Sequence, residues 1–378
     1  MKFTVSSTGL LSHLQAINRV ISSKNTLPIL DDFLFRIESN KLIMTASDLE
    51  TTLITSMDLD ISEGEGTIAL SSKILLETLR EFSDQPLTFE INDENLAMTI
   101  KSETGVYNFI GQNGDEYPKA PQMADDFNAL VIPASVLTSG ISKTLFATAD
   151  DELRPVMNGI FFDITEENLT LVASDAHKLV RNTTTLAKGE KVCSFILPKK
   201  PTNLLKNILP KESGDVMVQF DNKNACFTLS NYKMICRLIE GRYPNYNSVI
   251  PQNNPHKAII DRISLMNTLR RVNVFSSQGS NLIKLEFSEN EITVSAQDID
   301  FSISAEEKLT CQYQAEAMKI GFRATFLIDI LANLTSTDVV IELADPSRAG
   351  LILPFENDAD EDTLMLIMPM MLNDAEDA

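Results

Sequence analysis

The stretch Asn168-Leu-Thr-Leu-Val-Ala-Ser-Asp-Ala-His-Lys-Leu-Val-Arg181 sets the fold of this chain. An apolar run, a short polar turn and a second apolar start spell a strand, a tight turn and another strand. The pattern occurs twice more, in Leu42-Ile-Met-Thr-Ala-Ser-Asp-Leu-Glu50 and Ile292-Thr-Val-Ser-Ala-Gln-Asp-Ile-Asp300. Each copy carries Ala-x-Asp, at Ala46/Asp48, Ala173/Asp175 and Ala296/Asp298, and the aspartates lie 127 and 123 positions apart. That period is too long for a solenoid and is the size of a domain.

Landmarks further out keep the same register. Val5, Ile132 and Ile260 end short strands 127 and 128 positions apart, and a helical pattern follows each. Leu70, Leu197 and Phe322 do the same at intervals of 127 and 125. Tyr117-Pro118 and Tyr243-Pro244 are 126 apart, and a further 126 leads to the neighbourhood of Pro369. The 378 residues therefore divide into three repeats, 1–127, 128–254 and 255–378.

Each repeat reads as two helices and several strands. In the first, Leu10, Leu14, Ile17 and Ile21 form one apolar helical stripe, and Leu75, Leu79 and Phe82 form another. The matching helices fall at about 133–149 and Lys199 to Leu209 in the second repeat, and at about 261–277 and Ala324 to Leu334 in the third. After the first turn, Leu53, Thr55, Met57, Leu59 and Ile61 alternate as in a half-buried strand. The class is α+β, with helices on one face of antiparallel sheets. Pro-rich, polar joints follow at 116–126 and 241–255, and the chain ends in an apolar run, Leu364 to Leu372, and an acidic tail, Asn373 to Ala378.

The net charge of −21 argues at first against nucleic acid, since phosphates call for Lys and Arg. Distribution reverses that. The six helical stretches with their flanks hold 13 Lys and Arg against 4 Asp and Glu, while the rest of the chain holds 19 against 49. Helix propensity accounts for the Lys and Arg but not for the shortage of Glu, an equally good helix former. The helical layer is thus a basic surface and the remainder an acidic one.

Catalysis finds little support. The chain has no phosphate-binding glycine loop. Its three histidines, His13, His177 and His256, have no metal-ligand spacing, so no cofactor or metal is expected. Ser174, Asp175 and His177 are close in sequence, but neighbours on a strand point to opposite faces, which breaks a relay. Asp48, Asp175 and Asp298 recur at the same turn, which assigns them to holding it. The four cysteines form no C-x-x-C pair, no apolar run has the length of a membrane span, and the chain opens at once with a strand, Lys2-Phe-Thr-Val5; a cytoplasmic protein is expected.

Seven segments carry a family resemblance: Met1-Lys-Phe-Thr-Val5, Thr26-Leu-Pro-Ile-Leu30, Ser47-Asp-Leu-Glu50, Arg154-Pro-Val-Met-Asn-Gly159, Ala173-Ser-Asp-Ala-His-Lys-Leu179, Gly241-Arg-Tyr-Pro-Asn-Tyr246 and Met368-Pro-Met370. In order and spacing they resemble the bacterial replicative sliding clamp, the beta subunit of DNA polymerase III, over residues 1 to about 372. The resemblance implies three DNA-clamp domains per chain and a head-to-tail homodimer closed into a ring. It implies a non-catalytic processivity factor through which double-stranded DNA passes without sequence preference. Twelve helices spaced ~8–10 Å apart give a circumference of roughly 110 Å and a hole about 35 Å across, wider than a duplex.

Its partners would be the DNA polymerase III catalytic subunit, an ATP-driven clamp loader and other replication and repair proteins. The family's peptide pocket carries over to Met157, Ser174, His177, Lys178, Leu179, Pro244, Val249, Leu366, Met368, Pro369 and Met370. Leu366, Met368 and Met370 are expected on one wall, with His177, Leu179 and Pro244 opposite. Methionines suit a pocket for several partners because they repack easily. Lys24, Lys73, Arg80, Lys199, Lys200 and Lys206 are expected to face the DNA channel, and Tyr107 and Phe109 to meet Val274 and Phe275 at the dimer contact. The chain departs from the family at Ser248 and Met371, where arginines are common, and in the tail beyond 372.

Two other classes stay open at this point. A threefold-repeated adaptor unrelated to DNA would explain the repeats but not the basic helices. An enzyme would need turnover of a substrate that the residues do not name.

Overall fold

The computed structural model describes residues 1–372; the acidic tail from 373 to 378 lies outside the described residues. The first repeat contributes β1 (Lys2–Ser6), α1 (Ser7–Ile17), β2 (Asp32–Glu38), β3 (Lys41–Ser47), β4 (Thr51–Asp58), β5 (Ile61–Glu63), β6 (Gly66–Ser71), α2 (Ser72–Arg80), β7 (Pro86–Ile91), β8 (Ala97–Lys101), β9 (Val106–Ile110) and β10 (Gln112–Asn113). The second contributes β11 (Asn128–Pro133), α3 (Ala134–Thr144), β12 (Gly159–Ile164), β13 (Leu169–Ser174), β14 (Lys178–Thr184), β15 (Cys193–Pro198), α4 (Lys199–Ile208), β16 (Asp215–Phe220), β17 (Asn224–Thr228) and β18 (Tyr232–Arg237). The third contributes β19 (His256–Asp261), α5 (Arg262–Asn273), β20 (Leu282–Ser288), β21 (Glu291–Asp298), β22 (Ile303–Thr310), β23 (Gln312–Tyr313), β24 (Met318–Arg323), α6 (Ala324–Ala332), β25 (Asp338–Leu343), β26 (Gly350–Pro354) and β27 (Glu361–Ile367).

The chain forms two compact units, Met1–Ser135 with Asn203–Leu238, and Val136–Thr202 with Ile239–Ala378. The first unit holds a five-stranded sheet, β5-β1-β7-β8-β9, and a nine-stranded sheet, β10-β6-β2-β3-β4-β18-β17-β16-β11. The second holds a nine-stranded sheet, β15-β12-β13-β14-β27-β26-β25-β19-β23, and a four-stranded sheet, β22-β21-β20-β24. All pairings are antiparallel. Each nine-stranded sheet is welded from two repeats: four long strands of one repeat lie beside four of the next, joined at β4·β18 or β14·β27.

The repeated turn works as its sequence requires. Asp48 Oδ1 accepts from the backbone N–H groups of Glu50 (3.1 Å) and Thr51 (2.7 Å). Asp175 Oδ1 accepts from His177 and Lys178, both at 2.9 Å. Asp298 Oδ1 accepts from Asp300 (3.1 Å) and Phe301 (3.3 Å). These aspartates hold turns by bonding their own backbone two and three residues on.

The residue that ends a strand also starts the next helix. Ser6 Oγ accepts from Gly9 N at 3.1 Å and Asp261 Oδ1 from Ser264 N at 2.7 Å, satisfying N–H groups that the first turn leaves open. The helices are shorter than their apolar stripes. α1 ends at Ile17 and the chain tightens into a 3₁₀ turn over Asn18–Val20. A 3₁₀ turn advances three residues rather than 3.6, so Val20 enters the core in place of the expected Ile21, which is only half-buried. The stretches 133–149 and 261–277 shorten likewise, to α3 and α5.

One basic residue of the helical layer is spent inside the protein. Lys143 on α3 is buried, with Nζ 3.0 Å from Asp358 and 2.5 Å from Glu361, itself buried. Ser139 and Asn182 also donate to Glu361. Removing one member of a buried pair leaves an uncompensated charge, at a cost of about 3–5 kcal/mol. Lys143→Met is therefore expected to lower the unfolding free energy of the second unit by that amount in urea melts, and Lys143→Met/Glu361→Leu to recover most of it. Equal destabilisation in the single and double variants would deny the pair this role.

Candidate functional site

The stretch 168–181 contributes Val172 and Leu179 to an apolar cluster of the second unit. In the second unit β14 pairs with β27, with Leu179 opposite Leu366, and β27 pairs with β26, with Leu366 opposite Leu351. Partners across antiparallel strands share a face. Val172, Leu179, Ile196, Leu351, Leu364 and Leu366 thus make one apolar floor. Over it folds the joint after the second repeat, which supplies Tyr243 and Ile250, with Ile239 and Tyr246 packed alongside. Tyr243 stacks on Phe161 with centroids 4.7 Å apart, and Tyr246 donates to Asp163 Oδ2 at 2.8 Å. Burial, reinforced by Asp163, pushes the Tyr246 phenol up to about 12.

The rim is open. Pro244 and His177 are exposed, Val249 is 57% exposed and Met368 43% exposed. The terminal segment is held as a strap. Met368 N–H donates to His177 O at 2.9 Å, and Met370 N–H donates to Gly321 O on β24 at 2.8 Å. Gly321 is required there, because a Cβ would lie 2.6 Å from Met370 O and 2.9 Å from Leu372. Met157 is buried, next in sequence to Val156, which packs against the floor, and Pro369 is half-buried.

Two expected positions are corrected. Leu179 and Leu366 do not stand on opposite walls; they are cross-strand neighbours on one floor. Lys178 does not reach that floor, because alternation along β14 turns it to the other face. There it is buried, pairs with Asp175 at 2.6 Å and lies over the Phe326 ring of α6 at 4.3 Å. Asp329 faces the same cluster: burial raises its carboxyl, Lys178 opposes that and Asp175 adds to it. Ser174 lies opposite Leu179, with its hydroxyl donating to Lys178 O at 2.9 Å. Ser248 is exposed and donates to Asn245 O at 2.6 Å.

Of the expected channel residues, Lys24, Lys73, Arg80, Lys200 and Lys206 are exposed. Lys199 is half-buried and 2.6 Å from Asp150, so part of its charge is already met. Arg262 is likewise engaged, donating to the carbonyls of Ser336 (2.7 Å) and Leu331 (3.0 Å) at the end of α6.

The proposed dimer residues lie at open edges. β9 ends one sheet and β22 another. Tyr107 on β9 is exposed and Phe109 half-buried, while Val274 and Phe275 at the end of α5 are both exposed. Sequence reasoning missed Val106, Ile110, Ile299, Phe301 and Ile303, all exposed large apolar residues on or beside these two edges. It also missed Phe161, Tyr246 and Ile250 around the floor. The alternation of β12, with Phe162 inward and Phe161 outward, was the available signal.

Three repeats of antiparallel strands, each with two helices, define the DNA-clamp class. Family models described as the DNA polymerase III beta subunit, N-terminal, central and C-terminal domains match residues 1–121, 131–245 and 247–371. Taken together they run through the chain, which belongs to the DNA polymerase III beta subunit family. The chain is 29% identical to the beta sliding clamp of Haemophilus influenzae and 24% identical to that of Vibrio cholerae, in each case over 98% of this chain and 100% of the relative. Its fold matches a DNA polymerase sliding clamp from Pseudomonas aeruginosa with a TM-score of 0.92 at 24% identity. It matches a sliding clamp from Bartonella birtlesii bound to griselimycin with 0.91 at 27%; both cover 98% of this chain and 100% of the other. No helix among the described residues is long and apolar enough to cross a membrane.

Proposed function

We propose that two copies of this chain close head to tail into a ring around duplex DNA and serve as a non-catalytic processivity clamp. One observation carries the proposal. Both nine-stranded sheets consist of four long strands from one repeat beside four from the next. The remaining halves, β24-β20-β21-β22 and β9-β8-β7-β1, have the same strand orders but end in open edges at β22 and β9. Pairing β22 of one copy with β9 of another completes a third sheet of the same kind, and doing so twice closes a ring. The domains are then 1–127, 128–254 and 255–378.

Lys24, Lys73, Arg80, Lys199, Lys200 and Lys206 face the DNA in this reading and hold phosphates without sequence preference. The floor around Leu179 and Leu366 receives an extended peptide with apolar anchors from the polymerase catalytic subunit, from a clamp loader that opens the ring, and from other replication and repair proteins in the cytoplasm. The protein is expected to stay on nicked circular DNA after loader-assisted loading and to slide off once the circle is cut. Equal loss from circular and linear DNA would end the topological reading. Lys73→Ala/Lys200→Ala/Lys206→Ala is expected to lower the salt slope of direct DNA association by about one unit per lost contact without changing the dimer mass. An unchanged slope would place these cations away from DNA.

A further inference from the structure

We propose that β11, the outer strand of the first unit's nine-stranded sheet, is a docking edge for an extended partner peptide with alternating apolar residues and basic flanks. The counterparts of β11 in the other two repeats are β1 and β19, and each is covered on its outer side. β5 pairs with β1 through Ile61, Ser62 and Glu63, and β23 pairs with β19 through Gln312 and Tyr313. β11 pairs with β16 alone, and among the described residues no strand or backbone hydrogen bond covers its other side. Every second residue of an edge strand directs its N–H and C=O outward, which makes it a template for another strand.

Proteins blunt such edges with short strands, charged side chains, proline or bulges. β11 has only a proline, Pro133, at its last position, which leaves the strand from Asn128 to Ile132 unblunted. It is six residues long, Asn-Ala-Leu-Val-Ile-Pro, regular in register from Asn128 to Pro133 and uncharged. Its sheet face is apolar as well: Val131 and Met217 are cross-strand partners, 48% and 47% exposed, and Phe127 just before the strand is also exposed. Charge selects the occupant. Asp125 and Asp126 precede the strand, Asp215 lies opposite Pro133 at its far end, all three are exposed, and residues 124–135 contain no Lys or Arg. A strand with Lys or Arg at both ends meets carboxylates at both ends, while its backbone continues the ladder and its apolar side chains cover Val131 and Met217.

The probe is a fluorescein-labelled peptide of alternating Thr and Val with two lysines at each end, titrated against the full-length protein by anisotropy, with hydrogen exchange on the complex. The expected result is saturable binding, protection of the β11 amides, at least tenfold weaker binding to Val131→Lys/Met217→Lys, and at least tenfold weaker binding of the same peptide with glutamate ends. Both substitutions lie on exposed side chains, and unchanged thermal melting checks the variant's fold. Absence of binding at millimolar peptide, equal binding by the variant, or unprotected β11 amides would overturn the proposal. Assembly beyond the dimer that Val131→Lys/Met217→Lys abolishes would overturn it too, in favour of a second copy as the occupant.

Discussion

Tyr107→Ala/Phe275→Ala is expected to convert the protein from a species of twice 42.0 kDa to one of 42.0 kDa at micromolar concentration in sedimentation equilibrium. Both residues are exposed in the single chain, at 40% and 38%, and flank the two open sheet edges. A head-to-tail ring has two identical junctions, so the double variant removes four large side chains from buried positions. About two-fifths of each side chain is left to bury, so each contributes roughly 0.6–1.2 kcal/mol at the junction, which sums to roughly 2.4–5 kcal/mol and raises the dimer Kd at least about fiftyfold. The isolated chain is expected to stay folded at a lower melting temperature, since more than half of each side chain is already covered within it and Tyr107 packs edge-on to Phe82 at 5.3 Å. Peptide binding at the Leu179–Leu366 floor is expected to persist in the monomer, because every residue of that floor belongs to the second unit. A variant that stays dimeric would move the junction away from β9 and α5.

Most of the architecture was legible because the chain states it three times. A turn that needs Asp to bond its own backbone keeps Asp48, Asp175 and Asp298 whatever surrounds them, and the apolar stripes Leu10/Leu14/Ile17 and Leu75/Leu79 keep their helical spacing in α1 and α2. These are local requirements, so local sequence reveals them. The errors came from what is not local. Ile21 gave way to Val20 because a helix tightened at its end, which a regular 3.6-residue stripe does not encode. Lys143 and Arg262 belong to the basic helices by position, yet Glu361, Asp358 and the carbonyls at the end of α6 use their charge. Those partners lie 69 to 218 positions away. Lys178 was assigned with its neighbours His177 and Leu179; strand alternation separated it from Leu179, while His177 stays with it on the Phe326 ring, centroids 5.8 Å apart. The edge residues Ile110, Phe301 and Ile303 were passed over because an exposed apolar side chain stands out only once the sheet's end is known.

Deleting Met368 to Ala378 is expected to abolish peptide binding and leave a folded dimer. β27 ends at Ile367, so the cut spares its whole ladder with β14 and β26. It removes the strap that runs from His177 O to Gly321 O and carries Met368 and Met370. A peptide with two or three apolar anchors binds such a groove at roughly micromolar strength, about −8 kcal/mol. Losing the strap's apolar contacts, at ~1.5–3 kcal/mol per buried side chain, moves the Kd at least about a hundredfold, toward millimolar. Gly321→Val tests the same point without shortening the chain, because its side chain would occupy the space of Met370 O and Leu372. It is expected to lift the strap and weaken the peptide comparably, whereas deleting only Asn373 to Ala378 is expected to leave binding intact or stronger. Anisotropy with a labelled polymerase-tail peptide measures all three. Full-strength binding by the longer deletion would separate the peptide site from the strap, and full-strength binding by Gly321→Val alone would show that Met368, anchored at His177, suffices without Met370.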